Sequence, residues 1–125
     1  MEDKIIEYIL VNKELGMSTG KIAGQVAHAQ TLIDAKISSI MVSVNNSEEE
    51  KQMYKNYVSW INHHYYTKII LKAKEKDLLK AIELGAIPVR DNGLTEIPKG
   101  SLTVVGFVPQ PKSNLTKFTK RLQLL

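Results

Sequence analysis

Two charged side chains of this chain, Lys21 and Asp91, occupy positions from which they could act on a bound molecule. Lys21 follows Ser18 and Thr19, which are typical N-cap residues, so its ammonium group comes at the start of a predicted helix. The helix dipole is positive there, and a surface lysine gains no stability from such a position. A cation and a carboxylate could orient water, stabilise a developing negative charge or bind phosphate. We therefore treat both residues as candidates for a functional site.

Asp91 begins the sequence Asp-Asn-Gly-Leu-Thr, which on its own is typical of a turn. Its position favours a further role, because it follows a short predicted strand and the loop before Lys21 follows another. Ligands of open α/β sheets bind beyond the carboxyl ends of strands. Thr95 and Thr103 bracket the loop after Asp91 and complete this group of candidates.

Two familiar motifs resemble residues 16–21 but fail in their context. Gly-Met-Ser-Thr-Gly matches the nucleophile elbow of α/β-hydrolases, yet the last histidine, His64, precedes Asp91, whereas that fold needs the acid before the histidine. The P-loop pattern also fails, because its first glycine is one residue too close and Ile22 stands where a magnesium-binding Ser or Thr belongs. A serine hydrolase and a nucleotide triphosphatase are therefore disfavoured.

A metal site is also disfavoured. His63 and His64 are adjacent, so on a helix they point in different directions, and no third ligand has a suitable spacing. The chain contains no cysteine, which excludes thiolate ligands, thiolate catalysis and disulfides. The sequence thus predicts a protein without a metal or other cofactor.

The composition limits the number of domains, the location and the kinds of partner. A chain of 125 residues, 43% of them hydrophobic, predicts one domain over residues 1–125. No segment is apolar for long enough to predict a membrane span, and the absence of cysteine makes the reducing cytoplasm the simplest location. A net charge of +4 permits a polyanionic partner such as nucleic acid.

The apolar pattern predicts alternating strands and helices around these residues. The predicted strands are residues 5–11, 67–72, 88–91 and 101–108, and the predicted helices are residues 18–37, a second that starts at Ser47 with a capping box to Glu50, and 75–84. A short helix in the tail completes the order β-α-α-β-α-β-β-α. The first two strands should be parallel and the last two antiparallel. Four apolar positions predict the inner face of the second helix: Tyr54, Val58, Ile61 and Tyr65.

A wider set of residues recurs in one known family, in the same order along nearly the whole chain. The set is Met17, Gly20, Lys21, Ile22, Ala23, Gln25, His28, Ala29, Trp60, Lys68, Arg90, Asp91, Gly93, Thr95, Gly100 and Thr103, with a closing Leu-Gln-Leu-Leu. In these residues the chain resembles the archaeal and eukaryotic type of peptidyl-tRNA hydrolase.

The resemblance implies an α/β fold with a mixed four-stranded sheet between helices. It also implies an enzyme that hydrolyses the ester joining a stalled peptide to the 3′ end of tRNA, with tRNA as its partner. The proposed catalytic group of the family falls on Lys21, Asp91, Thr95 and Thr103, with His28 near the site and expected to contact the tRNA.

The chain departs from the family pattern at four positions: Asn12, Glu14, Thr19 and Glu96. Two of them, Asn12 and Thr19, replace basic residues of the family, and we expect other cations to bind tRNA phosphates in their place. The candidates are Lys13, Lys99 and the tail cluster Lys117, Lys120 and Arg121.

Two alternatives stay open at this point. The chain could be a tRNA-binding or RNA-binding module or adaptor on the same fold, without turnover, or an esterase that acts on another aminoacyl or peptidyl ester. Retention of the proposed catalytic residues favours the enzyme. The sequence leaves the oligomeric state open, with a homodimer as one alternative.

Overall fold

The computed structural model describes residues 3–93 and 96–125 of the chain. Thr95, one of the candidate site residues, lies outside the described residues. The helices of the described part are α1 (Thr19–Val42), α2 (Glu48–His63), α3 (Glu75–Glu83) and α4 (Thr116–Thr119). Its strands are β1 (Ile5–Asn12), β2 (Lys68–Ala73), β3 (Ile87–Arg90), β4 (Leu102–Gly106), β5 (Gln110–Pro111) and β6 (Gln123–Leu124).

The strands form one mixed sheet in the order β3-β4-β1-β2-β6, with β5 also paired to β1. β1 runs parallel to β2 and antiparallel to β4, and β4 runs antiparallel to β3. The predicted mixed α/β fold is confirmed, and the two-residue strands β5 and β6 extend the predicted sheet. Because β1, β2 and β3 run in the same direction, their carboxyl ends lie along one edge of the sheet, which we call the carboxyl edge.

Helices cover both faces of this sheet. Ile9 and Val11 of β1 pack on the side of α1, together with Ala29, whereas Tyr8 and Leu10 pack on the opposite side with residues of α3. Burial on both faces explains why β1 is an almost continuous apolar run.

The helix α1 lies unusually close to β4. A Cβ atom placed on Gly106 would be 2.9 Å from Cδ1 of Ile33 and 3.4 Å from Cβ of Ala29. The absence of a side chain at Gly106 therefore lets α1 approach the sheet at Ala29 and Ile33.

The predicted helix boundaries hold at most ends. Ser18 caps α1, because its Oγ accepts a hydrogen bond from the backbone N–H of Lys21 at 3.3 Å. The predicted capping box of Ser47 and Glu50 is present at the start of α2. α1 continues to Val42, beyond the predicted end, since the buried Ile40 prolongs its apolar face.

The predicted inner face of α2 is wrong by one residue. Three of the residues predicted to face inward are exposed: Val58, Ile61 and Tyr65. Trp60 is buried instead, and its indole N–H donates to the carbonyl of Thr67 at 2.8 Å. Tyr57 donates to the carboxylate of Asp34 at 2.7 Å. The rings of Tyr57 and Trp60 pack inward while their polar groups form hydrogen bonds. These two residues therefore determine which face of α2 packs against the rest of the protein.

Candidate active site

The site lies at the carboxyl edge, where α1 begins and β3 ends. Lys21, in the first turn of α1, donates a hydrogen bond from Nζ to Oδ1 of Asp91, which follows β3 directly. The side chains are 11% and 2% exposed, so the ion pair is almost closed off from water. The structure thus joins the two residues that the sequence singled out, although they stand 70 positions apart.

The loop after β3 holds Asp91 from its backbone. The N–H of Asp91 donates to the carbonyl of Ser101 at 3.0 Å, and its carbonyl accepts from the N–H of Gly100 at 2.8 Å. Oδ2, the oxygen that faces away from Lys21, accepts from the N–H of Gly93 at 2.6 Å. Both carboxylate oxygens therefore have donors, which fixes the orientation of the side chain.

These contacts set the charge state of Asp91. The hydrogen bond from Lys21 lowers the pKa of the Asp91 carboxyl below its usual value, and the N–H of Gly93 and the charges of Lys21 and His28 lower it further against the opposing effect of burial. Asp91 is consequently a carboxylate at neutral pH and a weak base.

Gly93 is a position that only glycine suits. Its φ is +76°, and a Cβ atom there would lie 2.9 Å from Cα of Lys99. The close approach of Lys99 closes the loop beneath Asp91, so Gly93 shapes the site although it has no side chain.

Glu96 adds a second carboxylate beside Lys21. Its two oxygens accept hydrogen bonds from Ser18, one from the backbone N–H at 2.8 Å and one from the hydroxyl at 2.7 Å. These bonds lower the pKa of Glu96 below its usual value. Ser18 therefore uses its hydroxyl to cap α1 and hold Glu96, which agrees with the rejection of the nucleophile elbow.

Thr103 contacts the site indirectly. It is fully buried in β4, and its hydroxyl donates to Oε1 of Gln25 at 2.6 Å while lying 3.2 Å from the carbonyl of Val89. Gln25 is also buried and stands one turn after Lys21 on α1. Thr103 is thus placed to position Gln25, a residue that sequence reasoning left without a role although it shares a helix stripe with Lys21.

A cavity of about 330 Å³ opens beside these residues. Its lining includes Lys21, Gln25, the exposed His28 and Glu96, together with Gly20 and Gly24. Cβ atoms placed on the two glycines would meet nothing within 4 Å. We call this space the catalytic cavity. It is wide enough for the reacting end of a substrate to lie against α1.

The residues predicted to bind tRNA lie in several places. Lys13 and Lys99 are exposed at the carboxyl edge, in the turn after β1 and in the loop after β3. Lys117 and Lys120 are exposed on and just after α4. Arg121 donates to the carboxylate of Asp77 at 2.9 Å and lines a second cavity together with Lys13.

The four departures from the family pattern are built into the local structure. Asn12 is buried, donates to the carbonyl of Leu102 at 2.9 Å and accepts from the N–H of Glu14 at 3.0 Å. Glu14 accepts from the N–H of Glu75 at 2.7 Å and so caps α3. Thr19 is the first residue of α1, and Glu96 is bound to Ser18 as described.

The histidine pair has separate surroundings. His64 is buried and its Nδ1 accepts from the N–H of Ile5 at 3.4 Å, whereas His63 is exposed at the end of α2. Within residues 3–93 and 96–125, no three His, Cys, Asp or Glu side chains are grouped as metal ligands would be. None of the helices in this part of the chain is long and apolar enough to cross a membrane.

Comparisons with known proteins give a consistent result. Residues 5–125 match the model of the family described as peptidyl-tRNA hydrolase PTH2. The chain is 36% identical to the peptidyl-tRNA hydrolase of Methanococcus maripaludis strain C6, over 94% of this chain and 96% of that protein. It is 35% identical to the protein of the same name from Staphylothermus marinus, over 95% and 93% of the two chains. For the enzyme of Sulfolobus acidocaldarius the identity is 33%, over 94% and 97%.

Proposed function

The chain belongs to the peptidyl-tRNA hydrolase PTH2 family, and we propose that its Lys21–Asp91 pair carries out the reaction of that family. The reaction is hydrolysis of the ester bond between a peptide and the 3′ end of tRNA. It releases the peptide and free tRNA for reuse. The observation that carries the assignment of residues is the buried ion pair at the carboxyl edge, whose lysine lines an open cavity.

Asp91 orients the attacking water in this proposal. Its lowered pKa keeps it ionised at neutral pH, so it accepts a hydrogen bond from water and directs the oxygen lone pair towards the ester carbonyl. A base with a lowered pKa removes a proton poorly before attack. The proton is therefore released to Asp91 only as the carbon–oxygen bond forms, when the acidity of the attacking water rises.

Lys21 stabilises the oxyanion that develops on the carbonyl oxygen. Its ammonium group has three N–H donors, one of which is used by Asp91, so the others can point into the catalytic cavity. A preorganised cation in a nearly water-free position is worth far more than the same charge in bulk water. Collapse of the intermediate breaks the ester bond, and the 3′ oxygen of tRNA leaves with the proton that Asp91 accepted from the water, which returns Asp91 to the carboxylate.

Thr103 and Thr95 have supporting parts. Thr103 positions Gln25, which lines the cavity and can hydrogen-bond the substrate. Thr95, which lies outside the described residues, is proposed from the family pattern alone. The proposed mechanism requires no metal or other cofactor.

The substrate is held by basic residues near the site. The ester end lies in the catalytic cavity beside His28, and Lys99 is exposed on the loop that carries Asp91. Lys13, Lys117, Lys120 and Arg121 are the further cations proposed to contact tRNA. The family's role in translation favours the cytoplasm as the location, and a homodimer is a further expectation that light scattering would test.

Incubation of the purified protein with labelled N-acetyl-aminoacyl-tRNA in excess chelator tests this proposal. Release of free tRNA at catalytic protein concentrations is the expected result. Binding without release would instead favour the non-catalytic module, and release from a simple ester but not from tRNA would favour the esterase of another substrate. A protein that needs added metal would contradict the proposed mechanism.

A further inference from the structure

A second cavity at the carboxyl edge is lined by five cationic side chains and one carboxylate. Its volume is about 360 Å³, and the charged residues around it are Lys13, Lys72, Lys74, Lys76, Asp77 and Arg121. We call it the basic cavity. Only Lys13 and Arg121 belong to the residues that the sequence predicts to bind tRNA. None of the residues that line the basic cavity lines the catalytic cavity.

The carboxylate does not neutralise the cavity towards a ligand. Asp77 is buried, accepts from the backbone N–H of Lys74 at 3.0 Å and accepts from Nη2 of Arg121 at 2.9 Å. Burial would raise the pKa of Asp77, but these hydrogen bonds outweigh it and the pKa lies below the usual value. Asp77 therefore pairs with Arg121, and among the described residues the four lysines of the cavity form no ion pair.

The cations are held by different parts of the fold. Lys72 lies on β2 and pairs with Gln123 of β6, which brings the tail with Arg121 beside it. Glu14 ties the turn that carries Lys13 to the first residue of α3, through the N–H of Glu75. Lysines gathered in this way repel one another, a cost that a bound polyanion removes.

The basic cavity lies at the same edge as the catalytic site. Lys13 follows β1 and Lys72 lies near the end of β2, whereas Asp91 follows β3. The sheet order puts β2 three strand spacings from β3, about 14 Å at the usual spacing. A nucleic-acid strand whose terminal ester lies at Lys21 can reach this distance with a few nucleotides.

From this placement we propose that the basic cavity binds backbone phosphates of tRNA next to its 3′ end. The inference rests on the proposed function, which supplies the polyanion and its direction. The lysines act as point charges on phosphate and carry no base specificity. Lys72, Lys74 and Lys76 are thus binding residues that sequence reasoning missed, because they converge only through the β2–β6 pairing and the start of α3.

The test compares a charge-neutralised cavity with a matched control. Lys72→Gln combined with Lys76→Gln removes two exposed charges that make no hydrogen bond to a described side chain. Lys36→Gln combined with Lys55→Gln makes the same change in net charge on exposed turns of α1 and α2. Each protein is assayed on N-acetyl-aminoacyl-tRNA and on N-acetyl-aminoacyl-adenosine, an ester without any phosphate, over a salt series.

For the cavity variant we expect KM for the tRNA substrate to rise about tenfold with kcat unchanged. The log–log salt slope should flatten by about two, one for each lysine removed. The adenosine ester should be hydrolysed at the same rate by the cavity variant and the wild type, and the control variant should match the wild type on both substrates. An unchanged KM for the tRNA substrate, an equal shift in the control or an equal loss on the adenosine ester would overturn the inference.

Binding of deacylated tRNA separates this inference from the proposed function. If the wild type hydrolyses neither substrate, the proposed function fails. A loss of deacylated-tRNA affinity in the cavity variant alone would still support the basic cavity, and equal affinity in both variants would contradict it.

Discussion

The hydroxyl of Thr103 donates a hydrogen bond to the side-chain oxygen of Gln25 at 2.6 Å, although the two residues lie 78 positions apart in the chain. Thr103 is fully buried and Gln25 lines the catalytic cavity, so this bond joins the sheet to the wall of the site. The family resemblance names Thr103 as catalytic. Its hydrogen bond to Gln25 is the basis for the positioning role that we propose for it.

Replacing Thr103 tests that role. Thr103→Val keeps the shape of the side chain but leaves Oε1 of Gln25 without its donor, which should cost about 1–3 kcal/mol of stability. We expect kcat to fall about tenfold with a smaller change in KM, because Gln25 loses its orientation. Thr103→Ser retains the hydroxyl and should restore kcat. A valine variant with lower stability and normal kcat would reduce Thr103 to a structural residue.

Lys21→Ala should lower kcat about a hundredfold or more, the scale seen when one preorganised donor to an oxyanion is removed. Steady-state kinetics on N-acetyl-aminoacyl-tRNA measure the effect, and thermal melting checks the fold. Lys36→Ala, an exposed lysine of the same helix, is the control. Lys21→Arg is unsuitable because the guanidinium is larger and planar. Undiminished turnover in a folded Lys21→Ala protein would contradict the mechanism.

The sequence predicted those features that depend on local patterns. The strands, the caps at Ser18 and Ser47 and the approximate helix bounds follow from apolar periodicity and side-chain chemistry, and all are present. The pairing of Lys21 with Asp91 could also be anticipated, because both follow strands that end at the same edge.

Features that depend on tertiary contacts could not be predicted in this way. The inner face of α2 has the right period but the wrong phase, since Tyr57 and Trp60 form hydrogen bonds to Asp34 and Thr67, which lie outside the helix. The basic cavity depends on the two-residue strand β6, which is too short to leave a periodic signal. The burial of Glu7 could not be predicted either, because the sequence does not show which side chains surround a carboxylate in an apolar strand.

Gly24→Ala should raise stability and impair catalysis. Gly24 lies inside α1, and a Cβ atom there meets nothing within 4 Å, so alanine should stabilise the helix by about 0.5–1 kcal/mol. The same methyl group would narrow the catalytic cavity and raise KM several-fold. Ser39→Ala improves the helix on an exposed turn far from the cavity and is the control. Both proteins with wild-type KM would show that the substrate does not lie over Gly24.

Salt dependence should reveal which other cations contact tRNA. The apparent affinity should fall with a log–log slope of about −2 to −5, and loss of one contacting lysine should flatten it by about one. Lys13→Ala, Lys99→Ala and a Lys117→Ala/Lys120→Ala variant are compared by KM over a salt series. A KM that does not depend on salt would contradict phosphate-based binding and favour an esterase that recognises a small ester.

Glu7 makes the stability of the protein depend on pH. Its carboxyl group is fully buried in β1, and neither of its oxygens, nor the side-chain oxygen of Gln30, has a hydrogen-bond donor among the described residues. Burial raises the pKa of Glu7 to about 7, although Lys68 opposite it on β2 lowers it in part. Asp34 of α1 adds a further small rise. The Gln30 side chain, like Lys68, lowers the pKa in part, but burial outweighs both, so the neutral acid is favoured in the fold.

The direction of the pH effect follows from this shift. The pKa of Glu7 is higher in the folded state than its ordinary value of 4.5, so the folded state holds the extra proton between these values. The contribution to stability is complete below pH 4.5, decreases as pH rises and is lost above pH 7, with a total on the order of 3 kcal/mol.

Glu7→Gln should remove this dependence, because the amide is neutral at every pH and keeps the shape of the acid. Urea unfolding at pH 5, 6, 7 and 8 measures the free energy of unfolding of both proteins. We expect the variant to resemble the wild type near pH 5 and to be more stable at pH 8. Glu83→Gln, which changes an exposed carboxylate of α3, should leave the wild-type profile intact. Parallel profiles for the wild type and Glu7→Gln would mean that Glu7 stays ionised in the fold, stabilised by Lys68.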